Sequence, residues 1–119
     1  VTITSVNTFY DGPSLASLPA GTYLFTGSIS VKMNNGSGEA ITAKLWDGTT
    51  VFASAYSEET GTNFHNQIPL TAIVTLTGTT TVKISVALAA AGGAIRATAP
   101  LNNAGATGTV STLTATKVA

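Results

Sequence analysis

The amino-acid sequence predicts an all-β protein, an antiparallel two-sheet sandwich or jelly roll of about eight strands with no helix of consequence. Three observations predict it. Apolar and polar residues alternate with a period of two along most of the chain, which is the spacing of a half-buried strand and not of a helix. The alternating stretches are closely spaced, and Gly, Asn and Asp punctuate them. Cysteine is absent from the 119 residues, so the chain has to be held by apolar burial between layers, for which one domain of this length suffices.

One stretch organises the rest. In residues 18–33, LPAGTYLFTGSISVKM, the side chains of Tyr23, Phe25, Ile29, Val31 and Met33 point one way. Thr22, Thr26, Ser28, Ser30 and Lys32 point the other, with Leu24 the main exception. Gly27 falls on the apolar face, where it marks a bulge or a close approach of another chain segment. Before this strand, residues 1–9 read as an edge strand or extended arm. Residues 10–14, YDGPS, read as a turn, and Leu15 and Leu18 as anchors of the loop that follows. The single domain thus covers 1–119, with 1–14 its least defined part.

After the strand, NNGSG at 34–38 is a surface turn. Ile41, Ala43 and Leu45 then alternate with Thr42, Lys44 and Trp46, Asp47-Gly48 turns the chain, and Val51, Ala53 and Ala55 return. Pairing Leu45 with Val51 across a three-residue turn keeps both apolar rows on one face and puts Trp46, Phe52 and Tyr56 on the other. The polar segment 57–66 reads as a loop. Ile68, Leu70, Ala72, Val74 and Leu76 share a face, and Pro69 suits an outer position in a strand. Val82, Ile84, Val86 and Leu88 continue that row after Gly78-Thr79, so the two strands read as a hairpin. Ala89 to Gly93 is a bend, and Ile95, Ala97 and Ala99 form a short strand. Residues 100–108 are a loop. A closing strand over 110–118 pairs near the N-terminal arm, with either Leu113 and Ala115 or Val110 and Val118 facing inward.

The same residues exclude several functions. Lys32, Lys44, Lys83, Arg96 and Lys117 are scattered and the net charge is zero, whereas nucleic-acid backbones call for a basic cluster. Thr interrupts every apolar run, so no helix-length membrane segment is present, and VTITSVN lacks the basic-then-apolar order of a signal peptide. His65 is the only histidine and reads as a loop brace or contact residue, short of a zinc ligand set. Glu58 and Glu59 are adjacent, Asp47 is a turn former, and no Ser has a base beside it in sequence, so no enzyme and no cofactor are expected.

What remains is surface. Charged residues are 8% of the chain, against about a quarter in ordinary domains. Thr, Ser, Asn and Ala must therefore cover the outside, with little charge repulsion to keep copies apart. Self-association follows as the first expectation, through Trp46, Phe52, Tyr56 and Leu24 as outward apolar groups. Stacking of these aromatics on a sugar ring is the second. The loop residues Asn63, His65, Asn102 and Asn103 are candidate contacts to a ligand, or turn formers.

Three segments carry a resemblance. LPAGTYLFTGSISV at 18–31, AKLWDGTTV at 43–51 and LTGTTTVKI at 76–84 resemble the small jelly-roll domains of bacteriophage fibre and tail proteins, similar in outline to the C1q and tumour-necrosis-factor group. The resemblance covers about residues 15–118. It implies jelly-roll topology with eight to ten strands and a homotrimer with one sheet of each protomer facing a three-fold axis. It further implies a place on the virion, as a receptor-binding fibre or tail module touching a host glycan or protein among other virion proteins. A capsid head decoration protein is the alternative, and a glycan-binding module of a secreted bacterial protein a third. No receptor residue carries over, because no motif fixes those surfaces.

Overall fold

The computed structural model describes residues 1–33, 39–59, 65–100 and 107–119. Among them there is no helix, and the strands are β1 (Tyr10–Leu18), β2 (Gly21–Lys32), β3 (Glu39–Trp46), β4 (Val51–Glu59), β5 (His65–Leu76), β6 (Thr80–Leu88), β7 (Ala94–Arg96), β8 (Thr98–Pro100), β9 (Thr107–Thr109) and β10 (Thr112–Lys117). Two antiparallel sheets face each other. One has the order β1-β6-β3-β4, the other β10-β2-β5, with β7 also pairing β2; β8 and β9 form a separate pair. Strand β1 thus pairs β6, β2 pairs β5 and β3 pairs β4. Such nesting is that of one long hairpin rolled into two layers, and it is consistent with a jelly roll.

Strand β2 sits in the middle of its sheet, between β10 and β5. Tyr23, Phe25, Ile29, Val31 and Met33 are all buried. They meet Ile41, Ala43 and Leu45 of β3 and Val82, Ile84 and Val86 of β6 across the sandwich. Gly27 is a close approach and not a bulge, since both of its ladders run without a register shift. A Cβ there would lie 2.5 Å from Ile84 Cδ1 and 3.2 Å from Leu113 Cδ1. Leu113 and Ala115 form the inward row of β10.

Several pairings differ from those the sequence predicts. Residues 10–14 are not a turn but the start of β1. This edge strand absorbs Gly12 and Pro13 in one register shift against β6 and Ser17, at φ 54°, in a second. Irregularities of that kind are tolerated at a sheet edge because one side of the strand has no partner to satisfy. Strands β4 and β5 also run on into 57–59 and 65–66, inside the segment that its polar composition predicts as loop.

The largest difference is at Gly78-Thr79. Strands β5 and β6 are not a hairpin: β5 pairs β2 and β6 pairs β1 and β3, so the link crosses from one sheet to the other. Two strands that face each other across a core present the same inward apolar rows as two strands side by side, so alternation alone cannot separate the cases. Pro69 accordingly lies on β5, an edge strand, where a missing N–H need cost no ladder bond. Strand β10 pairs β2 and not the N-terminal arm. The arm instead pairs Thr2 with Ala94, bonds Ile3 to Gly92 and Gly93 through the backbone, and drives the Ile3 side chain into the core. The expected strand over 95–99 is broken at Ala97 into β7 and β8.

Candidate functional site

The two outer faces of the sandwich differ in chemistry. The face of β1-β6-β3-β4 carries Asp11, Lys44, Trp46, Tyr56, Glu58 and Lys83. Trp46 lies over Ser85, which is fully buried although it points outward. The indole Nε1–H donates to Ser85 Oγ at 2.8 Å, and the Ser85 hydroxyl donates to Asp11 Oδ1 at 2.7 Å. Lys83 Nζ closes the chain by donating to Asp11 Oδ2 at 2.7 Å. Desolvation pushes the Asp11 pKa up, but the hydrogen bonds from Lys83 and Ser85 and the charges of Lys83 and Lys44 outweigh it, so the carboxyl titrates below its ordinary value. The Lys44 ammonium sits 3.4 Å from the centre of the Trp46 ring and 3.8 Å from that of Phe9, a cation–π geometry. Tyr56, across from Thr42 on β3, is 63% exposed, and its hydroxyl donates to Glu58. That hydrogen bond raises the phenol pKa, with desolvation and the Glu58 charge adding to it.

Phe52 is not part of this face. The register places Leu45 opposite Ala53 and Trp46 opposite Val51, with a shift between them that leaves Phe52 as the extra residue. The expected Leu45–Val51 pair is therefore absent. The turn is longer than three residues: Asp47 N–H donates to Thr50 O, and Asp47 Oδ1 accepts from the N–H groups of Thr49 and Thr50. These backbone donors lower the Asp47 pKa. The bulge turns the Phe52 ring inward, where it packs on the core and stacks on Phe25 with ring centres 6.5 Å apart. Val51 takes the outward position and is half exposed.

The outer face of β10-β2-β5 has no charge over residues 22–28, 69–75 and 112–116. Its rows are hydroxyl-bearing: Thr114, Thr26 and Thr71 lie side by side, and Thr22 Oγ1 and Thr75 Oγ1 share a hydrogen bond at 2.9 Å. At its centre Leu24 lies between Thr116 and Ile73, and Ile73 is 70% exposed, more than any other large apolar side chain described.

The predicted residues therefore divide. Trp46 and Tyr56 share one outer face, Leu24 lies on the opposite one, and Phe52 is partly buried against the core. His65 opens β5 opposite Lys32, with its side chain outside what is described; Asn63, Asn102 and Asn103 lie outside the described residues. Sequence reasoning missed Ile73, whose signal was an apolar residue at an outward position of an alternating strand. It also missed the Asp11–Ser85–Trp46 chain, which no sequence signal marks because it depends on β1 pairing β6. Among the described residues no three His, Cys, Asp or Glu side chains come together as a metal site would require. A cavity of about 250 Å³ opens between β1 and β7. Gly12, Pro13, Ile95 and Ala97 give it mostly apolar walls, and its Asp11 carboxylate is already held by Lys83 and Ser85. No family model matches the chain, and no curated protein matches it in sequence.

Proposed function

We propose that the chain is a non-enzymatic, self-associating structural domain of a virus particle, a trimeric fibre or tail module that contacts the host surface. The observation that carries the reading is the uncharged face of β10-β2-β5, with Leu24 and Ile73 at its centre. Packing copies on this face desolvates hydroxyls that can pair with one another and apolar groups that gain from burial, and it desolvates no ion. The opposite face would bury Asp11, Lys44, Glu58 and Lys83, so it is the one left in water. The resemblance of residues 15–118 to phage fibre domains supplies the trimer and the virion; the charge distribution supplies the choice of sheet.

Light scattering of the purified chain tests it. The expected mass is three times the 11.9 kDa protomer. Ile73→Lys is expected to give a folded protomer, because the side chain is mostly in water already, and to dissociate the assembly. Burying the exposed part of Ile73 contributes about 1–2 kcal/mol per protomer, and a buried unpaired ammonium costs several times that. A monomeric wild type sinks the self-association reading. A wild-type trimer that survives Ile73→Lys unchanged sinks the choice of face.

A further inference from the structure

We infer that the free edge of β4 pairs with β4 of a second copy of this chain, antiparallel about a two-fold axis. The sheet β1-β6-β3-β4 then continues into that of the second copy. The inference goes beyond the proposed trimer and does not rest on it, because it adds an interface of another symmetry at another place.

The first support is the state of the sheet edges. An edge presents a row of backbone donors and acceptors that invites another strand, unless Pro, Lys, a bulge or shortness blocks it. The edge strands here are β1 and β4 in one sheet, β10 and β5 in the other. Strand β1 is broken by two register shifts, β10 has six residues and ends in Lys117, and β5 carries Pro69. Strand β4 has nine residues. From Ala53 to Glu59 its ladder with β3 runs without a shift and holds no Pro, Gly or Lys. Among the described residues no strand pairs its other side.

The second support is where the β4 backbone points. Ala89 N–H donates to Ala40 O, so Ala40 turns its backbone groups toward the β6 side. Antiparallel ladders alternate. Thr42 and Lys44 therefore bond to β6, and Ile41, Ala43 and Leu45 to β4. Their partners Ser57, Ala55 and Ala53 face β3, which leaves the N–H and C=O groups of Ser54, Tyr56 and Glu58 facing out. All three residues are exposed, and their groups line about 13 Å of edge.

The third support is charge, which selects the arrangement. The carboxylates of β4, Glu58 and Glu59, both lie at its C-terminal end. A parallel copy in register would set Glu58 beside Glu58, with like charges opposite one another. An antiparallel copy centred on Tyr56 uses every outward group and sets each Ser54 opposite the second copy's Glu58. The Ser54 hydroxyl then donates to a carboxylate. The two Tyr56 rings, each 63% exposed alone, cover one another. Asp11, Lys44 and Lys83 stay in water. The contact is small, so the association is weak and appears only as concentration rises.

Sedimentation equilibrium of the full chain, from micromolar to millimolar protomer, tests this. The mass is expected to rise reversibly from its dilute value to at least twice that value. Tyr56→Pro removes an N–H that β3 does not use; the variant is expected to fold, as circular dichroism checks, and to keep its dilute mass throughout. Ser54→Glu sets like charges opposite at both ends of the contact and should weaken the pairing about threefold or more, whereas Ser54→Lys should strengthen it by a similar factor. The inference is overturned if the wild-type mass stays flat, if folded Tyr56→Pro pairs as wild type does, or if Ser54→Lys pairs no better than Ser54→Glu. Ile73→Lys separates the two interfaces, since it is expected to double from its own dilute mass. A trimer that never doubles overturns this inference alone, and a monomer that doubles overturns only the three-fold assembly.

Discussion

Phe52 and Val51 are neighbours with opposite roles, and exchanging them for Ala separates the two possible registers of β3 and β4. With the shift after Leu45, the Phe52 ring stacks on Phe25 and the Val51 side chain is half in water. Removing a fully buried Phe ring costs about 3–5 kcal/mol. Phe52 is only partly buried, so Phe52→Ala is expected to cost about 2 kcal/mol on the same scale. For a domain of this size that lowers Tm by about 8 °C. Val51→Ala removes little buried surface and should stay within about 0.5 kcal/mol. The assay is thermal unfolding followed by circular dichroism at one fixed protomer concentration, because the Tm of an assembling protein depends on concentration. Light scattering at room temperature follows the mass of each variant. The expected result is a lower Tm and an unchanged mass for Phe52→Ala, and no change in either for Val51→Ala. A reversed outcome would refute the bulge. If Phe52→Ala lowers the mass without lowering Tm, the ring faces out.

Three further outcomes check other parts of the structure. Gly27→Val should be strongly destabilising, by about 1–3 kcal/mol or more, because its Cβ would meet Ile84 Cδ1 at 2.5 Å; Gly78→Ala, with open space at its Cβ, should be nearly neutral, and urea unfolding midpoints compare them. Asp11 titrates below its ordinary value in the folded protein, so its link to Lys83 and Ser85 stabilises above the unfolded carboxylate pKa of about 4 and is lost as pH falls through the lower folded value. The gap in Tm between wild type and Asp11→Asn should therefore close as pH falls through that lowered folded value and persist at neutral pH; a gap that widens in acid contradicts the sign. Tyr56 should ionise above the ordinary tyrosine range in a spectrophotometric titration, and Glu58→Gln should bring it back down by removing the charged acceptor.

The layer each side chain faces was legible because period two is a local property. Tyr23, Phe25, Ile29 and Val31, or Ile68, Leu70 and Leu76, need no knowledge of their partners to be assigned to the core. Pairing is not local. The inward rows before and after Gly78 are compatible with a hairpin and with a crossing between sheets, and the choice depends on β2 offering β5 twelve residues of unbroken register. The segment Tyr10–Leu18 hid for a related reason. Its Gly12 and Pro13 look like turn formers, and with Ser17 they are absorbed in bulges only because β6 is there to pair with the residues between them.

The same distinction governs the candidate surfaces. That few charges would cover the outside was readable from composition; where the charges fall depended on the pairing. Asp11, Lys44, Glu58 and Lys83 come from four separate strands, and the order β1-β6-β3-β4 sets all of them on one face. Leu24 and Ile73 are 49 residues apart in sequence, and only the β2–β5 ladder makes them one apolar centre. A single register slip in that ladder would turn Ile73 into the core and expose Val74 and Ala72 in its place. The uncharged face is thus a consequence of register, and register is held by the inward rows, Tyr23, Phe25 and Ile29 of β2 and Ile68, Leu70 and Leu76 of β5, which a one-residue slip would take out of the core. Core packing on the inner side of β2 therefore determines which residues its outer side offers to a partner.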